Sequence, residues 1–295
     1  AREVCAALLD FDPHGIVFTS GGTESDNLAI HGACGSSGVA ACPATEHHAV
    51  LYPVESHSGR IIKVTPEGDV DLEHLEAVLD DDVSVLSVML VNNESGRVVD
   101  LEPIADVRDR RAPQALLHTD AVQAVNWVDI AKAASRADLM SLSGHKFGAP
   151  KGVGLLATRP HVDLTAQLLG GGQEAERRSG THNTAGIVAL GAALQALDES
   201  RTDEIQRLGL LCNRLAEGLV AAVPGCHETI SKSRRAAGLL QLLIEDVASE
   251  ALLVLLERFD LMASAAASCA SGAMDPSHVL AAMGVDRVAA AGSLR

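Results

Sequence analysis

Several polar clusters in this chain follow apolar runs, and each holds residue types that bind or react. The first is Phe18-Thr19-Ser20-Gly21-Gly22-Thr23-Glu24-Ser25, in which a strand-like run meets glycines, a hydroxyl and a helix start. Such a turn offers free backbone N–H groups at the positive end of a helix, which suits a phosphate. On its own it is equally a glycine turn with Thr23 as N-cap. No G-K-[ST] follows, so it is not a Walker loop. The weaker Gly152-Val153-Gly154 runs into Leu155-Leu156, strand residues where a dinucleotide fingerprint needs a helix. The second cluster is Ser143-Gly144-His145-Lys146. Only five lysines occur (Lys63, Lys132, Lys146, Lys151, Lys232), and one directly after an apolar strand is oddly placed for a solubilising residue. A partly desolvated amine there has a lowered pKa and forms a Schiff base readily. Asp120 ends a third apolar run; it is either a helix cap or the carboxylate that keeps the ring nitrogen of pyridoxal phosphate protonated.

Two histidines and a cysteine complete the reactive set. His47 and His48 follow Thr45-Glu46, and at most one of two adjacent strand residues faces a given site. No H-E-x-x-H or His/Cys/Cys spacing is present, so no metal site is expected. Cys269 lies in the small-residue segment Ala266-Ala-Ser-Cys-Ala-Ser-Gly272. It is either an accessible nucleophile or one more small residue in an alanine-rich chain.

These residues need a scaffold, and the pattern supplies one. Ile16–Phe18, Val83–Val91, Ala115–Leu117 and Asp138–Leu142 read as strands that each end in a polar cluster, with helical stretches between them. That alternation predicts an α/β fold with a mainly parallel sheet, whose carboxyl edge is where ligands sit. The chain is 295 residues long, which favours two domains. From about Arg201 its character changes to a charged helix, then Leu239–Ile244 as a strand and Glu250–Arg258 as a helix. The expected division is therefore residues 1–201 and 202–295.

Composition narrows the function classes. With 39 Asp+Glu against 23 Lys+Arg the formal net charge is −16, which disfavours nucleic acid and anionic lipid as partners. Hydrophobic residues at 47% supply a core, whereas 2% aromatics leave no stacking platform for single strands. The six scattered cysteines form no C-x-x-C and point to a reducing, cytoplasmic setting. No apolar run reaches the roughly 18 residues needed to span a bilayer.

Taken together and in order, the segments resemble the cysteine desulfurases, the NifS/IscS-like pyridoxal-phosphate enzymes of the class V aminotransferase group. The resemblance runs through Thr19–Asn27, Thr45–Val50, Val91–Glu94, His118–Gln123, Ser141–Lys146, Gly170–Gln173, Arg178–Thr181, Cys269–Gly272, Pro276–Leu280 and Gly292–Arg295. It implies a pyridoxal-phosphate fold type I: a mainly parallel sheet sandwiched by helices in a large domain, and a smaller α/β C-terminal domain carrying the cysteine loop. It also implies roles. Lys146 would hold the cofactor and shuttle protons. Gly22, Thr23, Ser143 and His145 would bind its phosphate, with Thr181 reaching the partner's cofactor across a homodimer interface. His47 would stack on the ring and serve as an acid/base, Asp120 would pair with the ring nitrogen, and Gln123 would meet the ring hydroxyl. Asn93 would touch cofactor or substrate, Arg295 would pair with the substrate carboxylate, and Cys269 would accept sulfur as a persulfide.

The implied reaction converts L-cysteine to L-alanine and passes sulfur to an acceptor protein, for iron–sulfur cluster assembly or tRNA thiolation. A selenocysteine lyase or another aminotransferase-like enzyme, and an inactive scaffold in sulfur transfer, are the alternatives. Measured against the family pattern, a leading strand segment and a trailing helix-and-strand segment are expected to lie outside this chain. The usual Gly-Ser-Ala-Cys run reads Ala266-Ala-Ser-Cys269.

Overall fold

The computed structural model describes residues 1–265 and 277–295; Cys269 and its flanking segment lie outside the described residues. The chain opens with helix α1 (Arg2–Leu9) and strand β1 (Ile16–Thr19), followed by α2 (Gly22–Cys34) and β2 (Val39–Pro43). Next come α3 (His48–Ser56), β3 (Arg60–Ile62), α4 (Leu72–Val78), β4 (Val83–Ser87), α5 (Glu102–Arg111) and β5 (Leu116–Asp120). Then follow α6 (Ile130–Ala133), β6 (Leu139–Ser143), β7 (Gly154–Thr158) and the 39-residue α7 (Thr184–Ala222). A second unit holds β8 (Cys226–Glu228), β9 (Leu242–Ile244), α8 (Ser249–Glu257), α9 (His278–Ala282), α10 (Arg287–Ala290) and β10 (Ser293–Leu294).

Seven strands form one sheet in the order β1-β7-β6-β5-β4-β2-β3. All neighbours are parallel except that β7 runs antiparallel to both β1 and β6. Strands β5 and β6 are buried on both faces, and each begins in apolar residues and carries buried polar ones (His118, Thr119, Asp120; Ser141, Ser143) toward its carboxyl end. Their residues nevertheless sort by period two. Leu117, Met140 and Leu142 join the core under α1, α4, α5 and α7, whereas Leu139, Val17 and Leu156 face α2. The helical sandwich expected from the sequence is thus present. Cys226–Glu228, Leu242–Ile244 and Ser293–Leu294 make a separate antiparallel three-stranded sheet.

Several boundaries differ from the sequence reading, for physical reasons. The apolar run at Val83–Val91 leaves its pairing with β2 after Leu86, where the Met89 N–H goes to the Glu46 carboxylate instead, while the Val88 and Leu90 N–H groups still donate to His118 O and Asp120 O of β5. The strand expected from Leu239 starts at Leu242, since Leu239 N–H closes a turn on Ala236 O. The change of character at Arg201 falls in mid-helix: no proline interrupts α7, and Arg201 pairs with Asp198 one turn back at 3.0 Å while donating to Val125 O at 3.0 Å. The two sheets are therefore joined by continuous helix, tied to the large sheet at its midpoint.

Candidate active site

At the carboxyl edge of the large sheet lies a cleft of about 740 Å³. Three strand ends build it. After β1, Gly21 and Gly22 turn the chain into α2. No side chain caps that helix, so its first-turn N–H groups stay free for an anion. Glycine is required there by space, since a Cβ on Gly22 would sit 2.8 Å from Val122 Cγ2 and 3.4 Å from Ser143 Cβ. That closeness brings the helix end against the end of β6, where the Ser143 hydroxyl meets His145 Nδ1 at 2.9 Å. Gly22, Thr23, Ser143 and His145 thus share one corner of the cleft. Burial and the neighbouring Lys146 and Lys151 cations hold the His145 imidazole below its ordinary pKa.

Lys146 ends the short turn after β6 and reaches the cleft exposed, not desolvated as its sequence setting suggested. Asn126 fixes its backbone by donating to Lys146 O at 3.0 Å. Asp120 ends β5 and is almost fully buried. Its Oδ1 accepts from Val122 N–H at 2.9 Å, which fixes the carboxyl at the start of the following turn. Burial pushes its pKa up to about 6, against the opposing pull of that hydrogen bond and of Lys146. Among the described residues no basic side chain forms an ion pair with it.

His47 and His48 prove to be the N-cap and first residue of α3 rather than strand residues. His47 Nδ1 accepts from Ala49 N–H at 3.1 Å and its ring lines the cleft. His48 turns away, its ring 4.9 Å from Tyr52 and 4.5 Å from His278. Burial, with His48 and Lys146 nearby, keeps His47 below the usual imidazole pKa and therefore neutral. Gln123, Asn93 and Arg295 also line the cleft, and Arg295 Nη1 donates to Asn93 O at 2.7 Å, joining the two sheets across it. Thr181 is exposed in the loop before α7 and does not line the cleft. Cys269 lies outside the described residues.

Sequence reasoning missed Asp26 and Lys151 as cleft residues. Asp26 had a usable signal: it stands four residues after Gly22, on the same helix face. Among the described residues no group of His, Cys, Asp and Glu suits a metal, and no helix is long and apolar enough to cross a membrane. Cys5, Cys34, Cys42, Cys212 and Cys226 are all free thiols.

Fold and site together define a class, and comparison with known proteins identifies it. A family model described as aminotransferase class-V matches residues 1–291. Over 304 residues the chain is 37% identical to a cysteine desulfurase from Nostoc sp., covering all of this chain and 75% of that protein. A solved NifS-like protein superposes with a TM-score of 0.91 at 30% identity, over 99% of this chain and 79% of that one. The structure of SspA in complex with cysteine superposes at 0.81 with 27% identity, over 100% and 84%. The chain belongs to the class-V aminotransferase family and, within it, to the cysteine desulfurases.

Proposed function

We propose that this cleft binds pyridoxal phosphate and takes sulfur from L-cysteine, releasing L-alanine and leaving a persulfide on Cys269. The observation that carries the reading is the convergence, in one cleft, of an uncapped helix end, a buried unpaired carboxyl and an exposed lysine. The residues fit the cofactor. Gly22 keeps the α2 N-terminus open for a phosphate dianion, with Thr23, Ser143 and His145 as donors beside it. Asp120, buried and raised in pKa, gains most from a cation set against it, which a protonated ring nitrogen provides.

When bound, pyridoxal phosphate supplies an electron sink for the electrons left at the substrate Cα. The chain's own residues do the rest. Lys146 carries the amine that holds the cofactor and, once displaced, moves protons at the substrate's carbons. Arg295, fixed through Asn93 O, meets the substrate carboxylate. His47, kept neutral, accepts a proton and bounds the ring face, while Gln123 meets the ring hydroxyl. The Cys269 thiolate attacks the substrate sulfur: an S–S bond forms, the substrate C–S bond breaks, and its electron pair and a proton remain on the alanine carbon.

We assign residues 1–201 to the cofactor-binding unit and 202–295 to the smaller unit. Thr181 is taken to serve the partner's site in a homodimer, its exposure away from the cleft supporting that reading. An acceptor protein of iron–sulfur assembly or tRNA thiolation receives the sulfur, and the cytoplasm is the proposed setting.

The test is alanine and sulfide release from L-cysteine with added pyridoxal phosphate and a reductant. Activity lost in Lys146→Ala and Cys269→Ser, with the yellow band kept in Cys269→Ser, establishes the reading. A wild-type protein that never turns yellow overturns it.

A further inference from the structure

The turn that leads into α2 is held from outside the helix. Gly21 is the N-cap, so Gly22, Thr23 and Glu24 are the first three helical residues. In a capping box, an N-cap Ser or Thr side chain bonds the third N–H, and a Glu at that third position reaches back to the N-cap backbone. Here one half of the box is present. Glu24 Oε2 accepts the N–H of Ser20, one residue before the cap, at 2.8 Å, whereas the glycine cap has no side chain to occupy the first-turn donors. On the other side of the turn, the Ser25 N–H and hydroxyl both donate to Gly21 O at 3.1 Å. The turn is thus fixed while its first-turn N–H groups stay open.

This arrangement costs something in charge. A carboxylate in the first turn takes up the positive helix end that a phosphate would use, and it repels a dianion. Arg178 answers it from the loop that also carries Thr181, 154 residues away in sequence. Its Nε donates to Glu24 Oε1 at 2.7 Å and its Nη2 to Oε2 at 3.3 Å. The two side chains are 23% and 19% exposed, so water screens the pair only in part. Ser20, Gly21, Gly22 and Thr23 line the cleft, and Glu24 and Arg178 do not. Any effect of the pair on a bound anion therefore passes through the turn.

We propose that Glu24 and Arg178 are a positioning pair for the phosphate: Glu24 fixes the turn through the Ser20 N–H, and Arg178 cancels the Glu24 charge so that the open helix end still attracts a dianion. The inference rests on the cofactor reading above. It adds two residues that act through Gly21, Gly22 and Thr23 without touching the cofactor.

Pyridoxal, which lacks the phosphate, separates this role from general damage. Growth of the yellow band during titration gives the dissociation constant of each ligand. Arg178→Met leaves the Glu24 carboxylate uncompensated. It should weaken pyridoxal phosphate about tenfold, the effect of a partly buried charge at a helix end, and keep pyridoxal within about twofold of wild type. Adding Glu24→Gln removes that charge and brings pyridoxal phosphate back to within about threefold of wild type. Glu24→Gln and Glu24→Ala alone both free Arg178, but glutamine keeps an acceptor for the Ser20 N–H. The alanine variant should therefore bind pyridoxal phosphate about fivefold more weakly than the glutamine variant. An Arg178→Met effect that is equal for both ligands, or that Glu24→Gln does not relieve, overturns the charge role. Equal affinity of the two Glu24 variants overturns the turn-fixing role, and this comparison decides the proposal if Arg178→Met does not fold. A wild type that binds no pyridoxal phosphate overturns the cofactor reading instead. Broadening of the phosphorus NMR line of inorganic phosphate then ranks the same variants at the anion site, and no difference among them overturns the pair.

Discussion

Glu174 ties three remote segments together, and removing its carboxyl measures what that tie contributes. Its side chain is 1% exposed, and its oxygens meet Arg2 Nη2 at 2.9 Å, Phe18 N–H at 3.0 Å and His182 Nε2 at 2.7 Å. In Glu174→Ala the Phe18 N–H, inside β1, is buried without an acceptor, which costs about 1–3 kcal/mol. Arg2 and His182 are 36% and 45% exposed, so water replaces much of their interaction and together they add only about 1 kcal/mol. The sum is about 3 kcal/mol, or about 6 °C in Tm for a chain of this size. Glu174→Gln keeps an acceptor for Phe18 N–H and should lose only about 1 kcal/mol. Urea unfolding of the three proteins gives both differences from the midpoints. If the Ala variant lies within 0.5 kcal/mol of wild type, or if Gln costs as much as Ala, the accounting is wrong.

Backbone strain at Ala175 and the buried Asp120 carboxyl give two further outcomes. Glu174, Ala175 and Glu176 all have positive φ, and Ala175 (φ 55°) makes no side-chain bond that offsets this, so Ala175→Gly should raise stability by about 0.5–1 kcal/mol in the same assay. Asp120 titrates near pH 6 in the folded chain, above its ordinary 3.8, so it loses its charge as pH falls through 6. A pyridinium needs the ionised form, and cofactor affinity should therefore fall by up to tenfold per pH unit below about 6 and lose that dependence in Asp120→Asn; a flat profile from pH 7 to 5 in the wild type refutes the pairing.

What could be read from the chain alone was the set of places where apolar runs stop. Thr19 and Ser143 end strands one residue past the apolar runs Ile16–Phe18 and Asp138–Leu142, whereas β5 runs three residues past Leu117 because His118, Thr119 and Asp120, though polar, are buried and still paired with β6. Asp26 escaped notice because a polar residue inside a helix ordinarily faces water; only the packing of α2 onto His118 and Ser141 turns it inward. The length of α7 escaped for the opposite reason. Its apolar half and its charged half look like two elements, and the helix persists through the change because backbone hydrogen bonds are indifferent to which face is buried.

The reversed strand β7 has a consequence for how the protein assembles. Because β7 is antiparallel to β6, the two pair across a short loop, with Ser143 opposite Gly154 and Leu139 opposite Thr158. The loop between them carries Lys146, so that lysine is positioned by one of the most local contacts in the sheet. The α2 N-terminus, the proposed phosphate site, is positioned by β1, whose Thr19 must find Gly154 across more than a hundred residues of intervening chain. Loop-closure entropy makes the first pairing fast and the second slow. A hydrogen-exchange pulse during refolding should therefore protect Leu142 and Leu155 amides before that of Val17. Lys146 is then in position while the proposed anion cradle is still open, and under the proposed function free cofactor becomes a ligand that draws the last strand home.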